Sequence, residues 1–236
     1  MKLLDKLRSK SGSVSILSDA EIKRLSALPE PFKGTLLSMY SSQTHKGLDG
    51  KDYAVEPTTR ITVSQGMALY DLCHTLRAER TLEIGLAYGF SAMYLLAANM
   101  LSSHTVIEPF ADYWHGIGQQ HIADVNCESR VSVLTDISVL SLPALFKAGS
   151  KYDLIYVDGN HRFDDVLIDF SYAARLCEQN GCVVLDDMWM PSVQRATSFI
   201  RANRGDFLEV PNEEKNISVF KKIAPDERQW NHFKEF

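Results

Sequence analysis

The chain has 236 residues, 45% of them hydrophobic and 23% charged, which suits one sizeable α/β domain with some decoration. A net charge of −5 and a pI near 5.8 advertise neither nucleic acid nor an anionic membrane as a partner. Cys73, Cys127, Cys177 and Cys182 form no C-x-x-C pair, so buried free thiols in a reducing compartment are expected, not a disulfide framework or a metal knuckle.

In chain order, the first segment sets Lys2, Asp5, Lys6 and Arg8 among leucines. It has no apolar core or small-residue cleavage site of a secretory signal. No stretch approaches the ~20 apolar residues that span a bilayer, so a soluble, cytoplasmic protein is expected. Short helices over 1–9, 18–28 and 32–42 lead into a polar, glycine-bearing stretch over 41–51. Residues 1–60 therefore read as a helical cap, with 43–60 either a lid or an ordinary surface linker. The cap can cover the domain's own ligand edge or a partner subunit in a homodimer.

Beyond residue 60 the pattern becomes that of a parallel sheet with crossover helices. Strands are predicted over 80–84, 105–108, 131–134, 152–157 and 181–185. Helices are predicted to begin near Phe90, Ala111, Ile137 and Arg162, and another follows Pro191, a residue suited to a first helical turn. Two further runs, 207–210 and 217–221, flank the turn-like Pro211-Asn212-Glu213-Glu214 and can form an antiparallel hairpin at the sheet's edge.

The most informative run is Thr81-Leu82-Glu83-Ile84-Gly85-Leu86-Ala87-Tyr88-Gly89-Phe90-Ser91. An apolar strand ends in an acid, turns on two glycines and opens into the apolar Ala92-Met93-Tyr94-Leu95-Leu96. Such a loop brings bare backbone N–H groups, at a helix N-terminus, up to a nucleoside-bearing ligand. The G-x-G-x-x-G spacing of dinucleotide sites is absent, which counts against an NAD-dependent oxidoreductase.

The E-x-G-x-x-x-G form resembles the first motif of class I S-adenosylmethionine-dependent methyltransferases. That resemblance implies a doubly wound, Rossmann-like seven-stranded sheet, mostly parallel with a C-terminal antiparallel hairpin, over residues 61–236. It also implies S-adenosyl-L-methionine as cofactor. Glu83 would complement the cofactor's ammonium, and Ser91 and nearby backbone N–H groups its carboxylate. Gly85 and Gly89 would shape the loop. Glu108, ending the second strand, would accept both ribose hydroxyls. Asp136, after the third strand, would accept from the adenine amino group or else cap the following helix.

Asp158 follows the fourth strand and Asp186-Asp187 the fifth, so three carboxylates converge at neighbouring strand ends. Together they would repel unless a cation intervened, and all-oxygen ligation points to Mg²⁺, Mn²⁺ or Ca²⁺, with Mg²⁺ suiting a site that keeps open positions. The arrangement resembles the cation-dependent, catechol-type O-methyltransferases. By that resemblance Asp158, Asp186 and Asp187 hold the metal, with Asp158 also bordering the cofactor. His161 stands where those enzymes carry a lysine base. Ile61, Thr62 and Val63 lie against the methionine part, and Pro191 lies in the substrate wall. Trp189 can wall a flat substrate or simply pack the last crossover helix.

Asp187 in place of an asparagine, and His161 in place of the lysine, look like bacterial secondary-metabolite methyltransferases that act on sugar or other non-catechol hydroxyls. The implied reaction is methyl transfer to a hydroxyl of a small molecule held beside Mg²⁺, with His161 taking the proton. A metal-independent N-, O- or C-methyltransferase and a non-catalytic cofactor-binding protein are the rival readings.

Overall fold

The computed structural model describes residues 17–236; the helix predicted over 1–9 lies outside them. In chain order its elements are α1 (Asp19–Leu25), α2 (Phe32–Ser41), β1 (Thr44–Lys46), β2 (Asp52–Ala54), α3 (Val63–Leu76), β3 (Arg80–Ile84), α4 (Phe90–Ala98), β4 (Ser103–Ile107), α5 (Ile117–Asp124), β5 (Val131–Leu134), α6 (Ser138–Lys147), β6 (Tyr152–Val157), α7 (Phe163–Leu176), β7 (Cys177–Leu185), α8 (Pro191–Asn203), β8 (Phe207–Val210) and β9 (Ser218–Lys222).

Strands β3 to β9 form a seven-stranded sheet in the order β5-β4-β3-β6-β7-β9-β8. Its first five members pair in parallel, and β9 pairs antiparallel with both β7 and β8. The chain starts in the middle, at β3, winds outward one way and then returns to wind the other. The gap between the carboxyl ends of β3 and β6 is therefore the switch point at which open α/β sheets bind ligands.

The central strands β6 and β7 carry apolar runs without alternation because both of their faces are covered. On β6, Leu154 and Tyr156 join one core with α1 to α5. Ile155 and Val157 join the other, beneath α6, α7 and α8. Cys182 and Val184 of β7 divide from Val183 and Leu185 in the same way. Every residue of α4 is buried, which is why its sequence is apolar all round and not amphipathic.

Leu25, Phe32, Leu36 and Met39 pack in the same core as α4, so α1 and α2 belong to the layer flanking the sheet. All four cysteines are free and buried. Burial lifts the thiols of Cys73 and Cys177 to about 12 and that of Cys182 to about 11.

Four elements differ most from the sequence-based expectation. The 14-residue α3 was not anticipated, although a capping box starts it. Thr62 accepts from the N–H of Gln65, and Gln65 accepts from the N–H of Thr62. Within the stretch read as lid or linker, β1 and β2 form an antiparallel hairpin. The helix expected from Ala111 begins at Ile117, because Gly116 adopts a left-handed conformation that interrupts the chain just before it.

Candidate active site

A cavity of about 550 Å³ opens at the carboxyl edge of β3, β4 and β6, a size suited to a nucleoside-bearing ligand. Its floor is the glycine loop. Gly85 has φ +93°, and a Cβ there would stand 2.1 Å from the carbonyl oxygen of Asp158. Only glycine lets the turns after β3 and β6 approach so closely. Gly89, at φ +78°, then starts α4, whose first-turn N–H groups have no acceptor inside the helix.

Glu108 is 3% exposed and ties this floor together. Its Oε2 accepts from the N–H groups of Leu86 at 2.9 Å and Ala87 at 2.7 Å, and its Oε1 from that of Phe110 at 2.8 Å. The carboxylate lines the cavity with lone pairs to spare.

Glu83 is fully buried and stands behind the lining. It accepts from Ser91 Oγ, and its other oxygen lies 2.9 Å from His104 Nε2. Ser91 itself faces the cavity. His104, to which the sequence reading gave no role, is in turn 2.8 Å from Thr81 Oγ1. A buried carboxylate needs such partners, and their spacing in the sequence carries no motif.

Ile61 lines the cavity together with Thr59, while Thr62 caps α3 and Val63 is buried under it. Asp136 is exposed at the rim. The neighbouring Ile137, Ser138 and Val139 form the wall there, and the N-cap of α6 is Ile137, not Asp136. Trp114 lines the cavity from a turn. Its ring meets that of Tyr88 edge-on at 5.1 Å.

The hairpin β1–β2 is fastened to this edge. His45 Nδ1 is 2.8 Å from His121 Nε2, and His121 Nδ1 is 2.8 Å from the carbonyl of Tyr88. That carbonyl can only accept, so His121 donates from Nδ1 and His45 donates to His121. Tyr53 stacks on His115 at 3.7 Å.

Beside the glycine loop Asp158, His161 and Asp187 converge, each offering a donor atom within 4.8 Å of the others. His161 Nε2 lies 2.9 Å from Asp187 Oδ2 and 3.5 Å from Asp158 Oδ1. It is buried yet off the hydrogen-bond line of either oxygen. The Asp158 carboxylate, and Asp187 beside it, raise the imidazole to about 10. Burial, together with the neighbouring acids, raises Asp158 to about 8. Asp187 is lowered, chiefly by His161. With no cation between them, the two carboxylates favour the charged form of the ring.

Asp186 faces elsewhere. Its Oδ1 accepts from Gln65 Nε2 at 3.0 Å and Asn216 Nδ2 at 3.2 Å, and its Oδ2 from the hydroxyl of Tyr156 at 2.5 Å. Gln65 and Asn216 are distant in the chain, and neither was legible as a site residue. Trp189 is 66% exposed and donates from Nε1 to Asp187 Oδ1. Pro191 begins α8 beside it.

Residues 82–188 match the family model described as a methyltransferase domain. Those residues carry a methyltransferase domain. Its sheet order and central glycine loop are those expected from the first motif, and the match runs from β3 to just past Asp186 and Asp187.

A curated relative, the catechol O-methyltransferase of Mycobacterium tuberculosis, is 26% identical over 141 residues. The matched stretch covers 60% of this chain and 62% of that protein's own length. Among solved structures, the O-methyltransferase TomG from Streptomyces achromogenes, in complex with SAM, superposes with a TM-score of 0.62 at 18% identity. That comparison covers 90% of this chain and 93% of TomG. The O-methyltransferase from Bacillus cereus, in complex with SAH, gives 0.57 at 18% identity over 93% and 97% of the two chains. At these identities the superpositions establish the fold of the methyltransferase domain.

Proposed function

We propose that this chain transfers a methyl group from S-adenosylmethionine to a hydroxyl of a small molecule, assisted by a divalent cation. The observation that carries the reading is one continuous cavity. The glycine loop and Glu108 line it, and so do Asp158 and His161 of the cluster that Asp187 completes. The named activities of the catechol and TomG relatives support a hydroxyl acceptor.

The residues present fit both groups. Glu108 offers free lone pairs to the ribose diol while its backbone bonds keep the loop in shape. Ser91 and the first turn of α4 face the position expected of the methionine carboxylate. Ile137, Ser138 and Val139 wall the adenine end, and Trp114 with Tyr88 closes the side. S-adenosylmethionine supplies a methyl on a sulfonium, which departs as a neutral thioether when an oxygen displaces it in line.

For the cation the fit rests on His161 Nε2, a buried nitrogen 2.9 Å from Asp187 Oδ2 and 3.5 Å from Asp158 Oδ1. A divalent cation there supplies Lewis acidity that lowers the pKa of a nearby hydroxyl. The domain's own contribution is positional: holding nucleophile and methyl donor in register removes much of the barrier. Catechols, other vicinal diols and glycosides are the acceptors to screen, since neighbouring oxygens can share one cation.

One observation favours a second reading. A charged His161 ring would offset one of the two carboxylates without a metal, so a metal-independent methyltransferase is compatible with the same cavity. Transfer of labelled methyl to a panel of hydroxyl acceptors, with EDTA and after cation readdition, separates the two. Activity abolished by EDTA and restored by cation supports the proposal, whereas activity unchanged in EDTA refutes its metal arm. Failure of the folded protein to bind S-adenosylhomocysteine refutes the whole.

A further inference from the structure

Two adjacent carboxylates, Asp186 and Asp187, leave β7 in different directions. Asp187 takes φ +56°, which turns its side chain toward His161, while Asp186 remains buried under the sheet's edge. The partners of each carboxylate then sort the donor atoms. Asp187 commits Oδ1 to Trp189 at 2.9 Å and to Asn216 at 3.4 Å, which leaves Oδ2 in the cluster. Asp158 has Oδ2 within 3.5 Å of the Tyr156 hydroxyl, which leaves Oδ1 in the cluster. Asp186 has both oxygens engaged, by Gln65, Asn216 and Tyr156.

Those partners of Asp186 are themselves fixed. Gln65 is held in the capping box of α3, where its Oε1 accepts from the N–H of Thr62 at 2.9 Å. Asn216 accepts the N–H of Met188 on its carbonyl at 2.9 Å. Tyr156 is fully buried in β6. Releasing Asp186 toward a cation would break the buried bonds from Gln65 and Tyr156 and the part-buried one from Asn216.

We propose that the cation site of this chain is a mixed nitrogen–oxygen set, His161 Nε2 with Asp158 and Asp187, and that Asp186 is a positioning residue outside it. The inference rests on the cation-dependent reading above and deepens it. An imidazole in the set shifts preference from Mg²⁺, which demands oxygen ligands, toward first-row transition ions such as Mn²⁺ or Co²⁺. With its nitrogen on the cation, His161 is not the base, and the acceptor's proton leaves to solvent.

The test uses the full chain with S-adenosylhomocysteine and Mn²⁺ as probe. Electron paramagnetic resonance reports free Mn²⁺, hence affinity, and its pulsed form reports coupling to a directly bound ¹⁴N nucleus. The wild type is expected to show nitrogen coupling. His161→Gln should lose it, weaken Mn²⁺ by about 100-fold and narrow the preference over Mg²⁺. Asp186→Asn keeps the size of the carboxylate and should retain the coupling, with affinity reduced by about tenfold, as for a residue that orients ligands without binding the ion.

Mn²⁺ bound without nitrogen coupling, or coupling that survives in His161→Gln, overturns the assignment and leaves the cation-dependent reading standing. Mn²⁺ binding abolished in Asp186→Asn but kept in His161→Gln overturns it too, by making Asp186 the ligand. A folded wild-type protein that binds S-adenosylhomocysteine but no Mn²⁺ sinks both the inference and the cation-dependent reading.

Discussion

Replacing Glu108 by Gln isolates the contribution of one buried carboxylate to a preformed cofactor floor. The carboxylate accepts three backbone N–H bonds, from Leu86, Ala87 and Phe110, at 2.9, 2.7 and 2.8 Å. A glutamine can present its oxygen either to Leu86 and Ala87 or to Phe110, and its amide N–H₂ then faces the remaining donor or donors. At least one charge-assisted bond is lost and one buried N–H is left unpaired, together about 2–3 kcal/mol. The ribose also loses a charged acceptor.

If loop order and ribose binding draw on the same interactions, the Kd for S-adenosylhomocysteine should rise about 30- to 100-fold, at 1.4 kcal/mol per factor of ten. Calorimetric titration measures it, with urea unfolding of the free protein alongside to register the loop term. A Kd within about threefold of wild type would refute the reasoning, whatever the unfolding curve shows, because it would mean that Glu108 faces no part of the ligand.

Two further outcomes follow from the packing. Gly85→Ala places a Cβ 2.1 Å from the Asp158 carbonyl at φ +93°. Overpacking with left-handed strain should cost about 2–4 kcal/mol and weaken both cofactor and Mn²⁺ binding, since the turn carrying Asp158 must move; an unchanged urea midpoint would exclude the clash. Burial holds His45 down at about 4 and lowers His121, so between pH ~6.5 and ~4 the unfolded chain binds protons that the folded one refuses. Stability is then full above pH ~6.5 and falls with pH through that window, by on the order of 3 kcal/mol for His45. His45→Gln should flatten this part of the urea-midpoint profile, and an identical slope in the variant would exclude the histidine pair as its source.

Much of the fold is legible in the sequence for a simple reason. A strand buried on both faces must be largely apolar, as at 152–157, and 80–84, 131–134 and 207–210 also lie at their expected bounds. The same holds for the glycine loop, because a turn that admits the Asp158 carbonyl tolerates no Cβ. The acids after β3, β4, β6 and β7 were legible as a set, since parallel strands deliver their carboxyl ends to one edge. Helix α3 is harder to see because its buried face includes Gln65 and Gly66 among Val63, Leu69 and Cys73, and its capping box alone does not reveal it.

What the sequence could not decide is the direction in which each acid points. Glu83 turns into a buried network with Ser91 and His104, Glu108 supports the loop while facing the cavity, and Asp136 ends on the rim. Asp186 and Asp187 are neighbours in the chain, yet a single left-handed φ separates their surroundings. Gln65, Tyr156 and Asn216 act on Asp186 from three remote segments, and His45 and His121 meet only because the β1–β2 hairpin folds back on α5. Strand ends and turns are fixed by local chemistry and so can be read from the residues. The aim of a side chain depends on contacts between segments far apart in sequence, and only the packed tertiary structure sets those.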